Sequence, residues 1–193
     1  MKLEVEPFST NKKKHQIILT HTSRNVDDYL MSINKRLGGK IKKIPNYVIG
    51  RDGEIHQLME PQNHRSFFNE KSVNEESIII SLENLGWLDK EPLKNSYINW
   101  IGNIYTGDVI EKKWRDYFIW QPYTTEQMES LVKLCDTLMK KFKIDRKFVG
   151  HNTKVSGVER YEGITTRSNY DSKYTDLSPA FDYDLFSKLI ENG

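Results

Sequence analysis

Two isoleucine-rich runs constrain this chain most. HQIILTH (residues 15–21) and SIIISLEN (residues 77–84) are apolar, short and rich in β-branched side chains, so they read as buried strands, the first ending at His21. Around them the period changes. Asn25 to Leu37 places Val26, Tyr29, Leu30, Ile33 and Leu37 at helical spacing, and Gly38-Gly39 stops the pattern. YVIGRDGEIHQLM reads as a hairpin turning at Arg51-Asp52-Gly53. Thr124 to Phe142 is the strongest helix. Thr124 and Gln127 form a capping box, and Met128, Leu131, Val132, Cys135, Leu138, Met139 and Phe142 fall on one face. A short strand is expected at Lys147 to Gly150, then a long polar loop, then a last helix over Asp182 to Glu191. Strands alternating with helices predict an α/β fold with a mixed central sheet flanked by helices.

The length of 193 residues suits one domain spanning 1–193, with a core over about 15–190. A net charge of +2 is too small to argue for a nucleic-acid partner, although the basic residues cluster at Lys12 to Lys14, Lys35 to Lys43 and Lys140 to Lys147. The single cysteine, Cys135, permits no internal disulfide and sits on the apolar face of its helix. No apolar run reaches the roughly 18 residues of a membrane span, and MKLEVEPFSTNKKKH lacks the apolar stretch of a secretory signal. The expectation is a monomer, cytoplasmic as synthesised, with no membrane partner. The segment from Trp87 to Tyr123 holds all four tryptophans (Trp87, Trp100, Trp114, Trp120) and five further aromatic residues. This insertion is either an extra layer packing on the core or a wall on which sugar rings stack.

Three distant stretches carry the candidate chemistry: His21 in IILTHTSRN, His151 in KFVGHN and Asp176 in YTDLSPAFDY. Two imidazoles and a carboxylate suit a zinc ion with a fourth position open to water. Such an ion lowers the pKa of bound water to about 7 and polarises a carbonyl.

Taken in order, IILTHTSRN, YVIGRDGEIHQL, SIIISLEN, YTTEQMESLVKL, FVGHN and TDLSPAFDYDLF resemble the type 2 zinc-dependent N-acetylmuramoyl-L-alanine amidases, a superfamily that includes peptidoglycan recognition proteins. The resemblance runs from about Gln16 to Leu189. It implies a mixed sheet with zinc at one edge, held by His21, His151 and Asp176, with Asp171 and Asp182 as rival carboxylates. It also implies cleavage of the amide between N-acetylmuramic acid and L-alanine in peptidoglycan or muropeptides, by an endolysin or a cell-wall hydrolase. Three positions depart from the family pattern. Ser81 stands where many relatives carry a strand glutamate, so Glu83, two residues on, is either the general base or an ordinary strand carboxylate. Pro45 stands where some relatives use a tyrosine. Tyr174 replaces a lysine, with Lys173 adjacent, and either could donate to the oxyanion. His64 lies near where relatives carry a cleft histidine. These departures motivate a second reading, a non-catalytic peptidoglycan-binding module.

Overall fold

The computed structural model describes residues 7–35, 43–92 and 94–193. In chain order the elements are β1 (Gln16–His21), α1 (Val26–Lys35), β2 (Tyr47–Ile49), β3 (Ile55–Gln57), α2 (Lys71–Glu76), β4 (Ser77–Leu82), β5 (Trp87–Lys90), β6 (Tyr97–Ile98), β7 (Ile104–Tyr105), β8 (Ile110–Trp114), β9 (Tyr117–Trp120), α3 (Thr125–Phe142), β10 (Gly163–Thr166), α4 (Arg167–Tyr170) and α5 (Tyr183–Glu191).

The first sheet has the order β10-β1-β4-β2-β3. β10, β1, β4 and β2 run parallel, and β3 returns antiparallel to β2, giving the mixed sheet expected. The isoleucine runs become its centre because successive side chains point to opposite faces and both faces are covered. Ile17, Leu19, Ile78 and Ile80 face Leu131, Cys135 and Leu138 of α3 and Phe186 and Ile190 of α5. Ile18 and Ile79 face Phe67, Phe68 and Val73 on the other side, where α1 adds Tyr29, Leu30 and Ile33 against Val48.

The hairpin and long helix fall where the sequence places them. Gly53 takes φ +84° in the hairpin turn, and a Cβ there would meet the Glu126 carbonyl oxygen at 2.8 Å, so glycine serves both the turn and the approach of α3. The capping box is present: Thr124 Oγ1 accepts from Gln127 N at 3.1 Å, and Gln127 Oε1 accepts from Thr124 N at 3.1 Å. The Gly38-Gly39 stop and Leu37 lie outside the described residues.

Two expectations require correction. Lys147–Gly150 is not a regular strand; it makes one isolated parallel bridge, Phe148 to Ile164. The strand beside β1 is β10, formed by Gly-Ile-Thr-Thr inside the stretch read as a polar loop, with Ile17 paired to Ile164 and Leu19 to Thr166. Phe148 therefore lies on the outer side of β10, one strand further from β1.

The aromatic insertion folds as a second, antiparallel sheet, β7-β6-β5-β9-β8. Trp120 is fully buried and donates Nε1–H to Lys112 O at 2.7 Å. Trp87 stacks on Tyr117 with centroids 4.5 Å apart. Trp100 stays 58% exposed. Phe118 is 55% exposed as well, so the insertion packs around Trp120 and leaves Trp100 and Phe118 facing out.

Candidate functional site

Four parallel strands share one carboxyl-terminal edge, so the residues that end them collect there: His21 after Thr20, Glu83 after Leu82, Gly50 after Ile49 and Arg167 after Thr166. Crevices at such edges are the usual ligand positions of open α/β sheets. Asp176 reaches the same edge from the segment after α4, anchored by Ser168 N donating to Asp176 O at 2.8 Å.

Asp176 is 2% exposed, and a carboxylate so enclosed needs partners. Thr20 Oγ1 donates to its Oδ2, and His21 N donates to the same oxygen at 3.4 Å. The Arg167 guanidinium stands 3.8 Å away. That guanidinium is itself held, lying 3.7 Å from the centroid of the Tyr174 ring and 5.2 Å from that of Phe67, where cation–π attraction adds to the charge pairing. Arg115 Nη1 donates to Tyr174 O at 2.5 Å and fixes the platform.

The His21 ring is enclosed at Nδ1, which has no hydrogen-bond partner among the described residues. Burial pushes its pKa below the ordinary value, Asp176 opposing and Arg167 assisting. Gly86, at φ +79°, lets the ring sit where it does: a Cβ there would lie 2.8 Å from His21 Cε1. Neither Gly86 nor Arg167 was marked by the sequence reading.

His151 does not join this group. It is exposed, accepts at Nδ1 from Thr153 N at 3.3 Å, and contacts Thr153 Oγ1 through the same nitrogen at 2.8 Å. It borders a different hollow, with Trp114, Lys112 and Pro179. The cause is the topology: with β10 between them, the segment carrying His151 lies about two strand spacings, roughly 10 Å, from β1. Among the described residues, no group of three or more His, Cys, Asp or Glu side chains is placed to hold a metal ion. The folded donor set therefore does not fit zinc: two of the three expected ligands meet, and the cation beside their carboxylate is Arg167.

The remaining candidates are dispersed. Glu83 accepts from Arg51 N at 3.1 Å and borders a separate hollow with Asn25, Asp52 and His56; burial raises its pKa, with Arg51 opposing. Lys173 is exposed and paired with Asp171 at 2.7 Å. Asp182 caps α5 by accepting from Leu185 N at 2.9 Å. Ser81 is buried, and its hydroxyl has no hydrogen-bond partner among the described residues. His64 bridges to Phe8 at another surface.

The hollow at His21 has a volume of about 200 Å³ and is bordered by Thr22, Ser23, Arg24, Tyr29, Lys43, Phe67, Trp100 and Arg167. Its walls are cationic and aromatic, and no carboxylate among the described residues borders it.

Residues 10–166 match the Amidase_2 family, N-acetylmuramoyl-L-alanine amidase, and the chain belongs to that family. The matched region includes His21, Glu83 and His151 and ends before Arg167, Tyr174 and Asp176. No curated protein sequence matches significantly. Among solved structures, the chain is similar to the N-acetylmuramyl-L-alanine amidase AmiD of E. coli, in complex with anhydro-N-acetylmuramic acid-L-Ala-D-γ-Glu-L-Lys, at TM-score 0.57 and 15% identity, over 96% of this chain and 60% of that one. It thus spans about three-fifths of that relative. It is also similar to the endolysin amidase LysCS of Clostridium intestinale, at TM-score 0.54 and 17% identity over 97% and 89%. The ectodomain of the Drosophila transmembrane receptor PGRP-LCa matches at TM-score 0.56 and 12% identity over 97% and 90%. These likenesses establish a shared fold.

Proposed function

We propose that this chain binds peptidoglycan or a muropeptide at the carboxyl-terminal edge of its parallel strands. Membership of the amidase family supports that ligand class. The observation that carries the site is the meeting of His21, Asp176 and Arg167 beside the exposed ring of Trp100. A flat indole left facing out of a packed aromatic layer suits the apolar face of a sugar or a peptide side chain.

Hydrolysis of the amide between N-acetylmuramic acid and L-alanine, as by an endolysin or other cell-wall hydrolase, is the second reading. Family membership favours it, and so does His21, whose ring Nδ1 has no partner among the described residues while its backbone N–H donates to the buried Asp176 carboxylate. Zinc on His21, His151 and Asp176 would ask His151 to leave Thr153 and Arg167 to release Asp176. Glu83 borders another hollow and Lys173 is tied to Asp171, so neither is poised as proton carrier or oxyanion donor. Tyr174 serves as the platform for Arg167. The binding reading asks for no such rearrangement.

One assay separates the two. Purified chain is incubated with sacculi with and without a chelator; the pellet is assayed for protein, and the insoluble and soluble fractions for new L-alanine amino termini. The binding reading expects pelleted protein and no chelator-sensitive release. Chelator-sensitive release of L-alanine termini would establish the hydrolytic reading in its place, and protein left in the supernatant with no release would sink both.

A further inference from the structure

The disagreement between the donor set and zinc has a positive side. We infer that the hollow at His21 is a carboxylate site, in which Arg167 is the resident cation and a small anionic group of the ligand takes the remaining space.

Three observations meet there. First, the hollow is bordered by Arg24, Lys43 and Arg167, with no carboxylate bordering it among the described residues. Asp176 offsets Arg167 from behind, at 3.8 Å, whereas among the described residues Arg24 and Lys43 have no side-chain ion pair. Second, two bordering residues carry enclosed nitrogens without hydrogen-bond partners, Nδ1 of His21 and Nε of Arg167. Arg167 Nε carries a proton, and Nδ1 of a neutral imidazole can. Both atoms are closed to solvent, and so to a ligand oxygen as they stand; the Arg167 side chain is 17% exposed, and that open part is what a ligand anion reaches. Planar guanidinium groups match carboxylates in bidentate geometry. Third, Phe67 and Trp100 supply flat apolar walls, and about 200 Å³ is small beside the roughly 300–1,000 Å³ of sites that enclose whole drug-sized ligands. The space suits a carboxylate on a few carbons, the rest of the ligand lying outside along Trp100.

Resting on the peptidoglycan reading, such a carboxylate has two sources: the acidic stem peptide, and the lactyl group of an N-acetylmuramic acid that has lost its stem, since in a stem-bearing residue that carboxyl is tied up in the amide to L-alanine. The test titrates the full chain, followed by NMR of the His21 ring and the Trp100 indole, with N-acetylmuramic acid, with L-Ala-γ-D-Glu-L-Lys, with the carboxyl-blocked form of each, and with zinc chloride. One free acid should bind saturably and shift both signals, and this identifies the source. Its blocked form should bind at least tenfold more weakly. The surface variants Arg24→Gln and Lys43→Gln, with unchanged circular dichroism, should each weaken the free acid severalfold.

Equal binding of free and blocked forms would overturn the inference, as would no binding of either acid. So would stoichiometric zinc binding that shifts the His21 ring and disappears in His21→Ala. Sacculi that pellet the protein while both acids fail would leave the peptidoglycan reading standing and this inference refuted. An acid that binds while sacculi do not would do the reverse.

Discussion

Single residues set the tolerances of this site. Gly86 is required twice, by its positive φ and by the His21 ring that occupies its Cβ position. Gly86→Ala should cost on the order of 1–3 kcal/mol in chemical denaturation, since backbone strain and a displaced neighbour act together, and should weaken ligand binding at the His21 hollow. Lys14 gives a second residue-level prediction, independent of function. Its ammonium is buried, donating to Glu75 O at 2.8 Å and Ser77 O at 3.0 Å. Desolvation lowers its pKa from 10.5 to about 8, Glu75 and Glu76 opposing. Between those values the unfolded chain holds more protons than the folded one, so stability rises with pH across that window. Below about pH 8 the lysine is charged in both states, and the cost of burying that charge is felt in full. The stability of wild type minus that of Lys14→Met should therefore climb by about 3 kcal/mol at most from pH 8 to 10.5, measured by urea denaturation at each pH. A flat difference would show that Lys14 stays charged and fully paired.

At the scale of elements, much of the molecule is legible in the sequence. β1, β4, the β2–β3 hairpin, α3 and α5 follow from period and turn chemistry, because each buries a long apolar face or turns on a residue with special backbone needs. Thr124 acts at two places, capping α3 and donating Oγ1–H to Arg51 O at 2.6 Å across the hairpin turn. Thr124→Ala should thus lose about 1–2 kcal/mol, at the upper end for a cap. Leu131→Ala, in the centre of the α3 face at 0% exposure, should lose 2–5 kcal/mol by cavity formation; both are read by denaturation. β10 escaped notice because it has only four residues, Gly-Ile-Thr-Thr, flanked by polar sequence. Its signal was there, in two β-branched threonines following isoleucine, but a four-residue edge strand is specified by its pairing to β1 more than by its own pattern. That one strand redirects the site. It places Arg167 at the sheet end and sets His151 one strand further out. Asp176 was identified from the sequence around it. Arg167 was not, because the role of a guanidinium rests on the carboxylate and rings it meets only after folding.

At the scale of the whole molecule, the amidase fold provides a sheet edge where ligand chemistry collects, and an aromatic second sheet borders it. None of the helices among the described residues is long and apolar enough to cross a membrane. The departure at Tyr174, noted from sequence, agrees with an edge whose polar groups are organised around Arg167. Peptidoglycan binding and amide cleavage are separable properties of such a fold, and the account predicts the first without zinc-dependent cleavage.

The central claim is that the cation beside Asp176 belongs to the protein. Elemental analysis of the full chain, equilibrated with excess zinc and then freed of unbound metal, tests it most directly, with Asp176→Ala in parallel. The account predicts far less than one zinc per chain and no difference between the two proteins. One zinc per chain in the wild type, lost in Asp176→Ala, would contradict it.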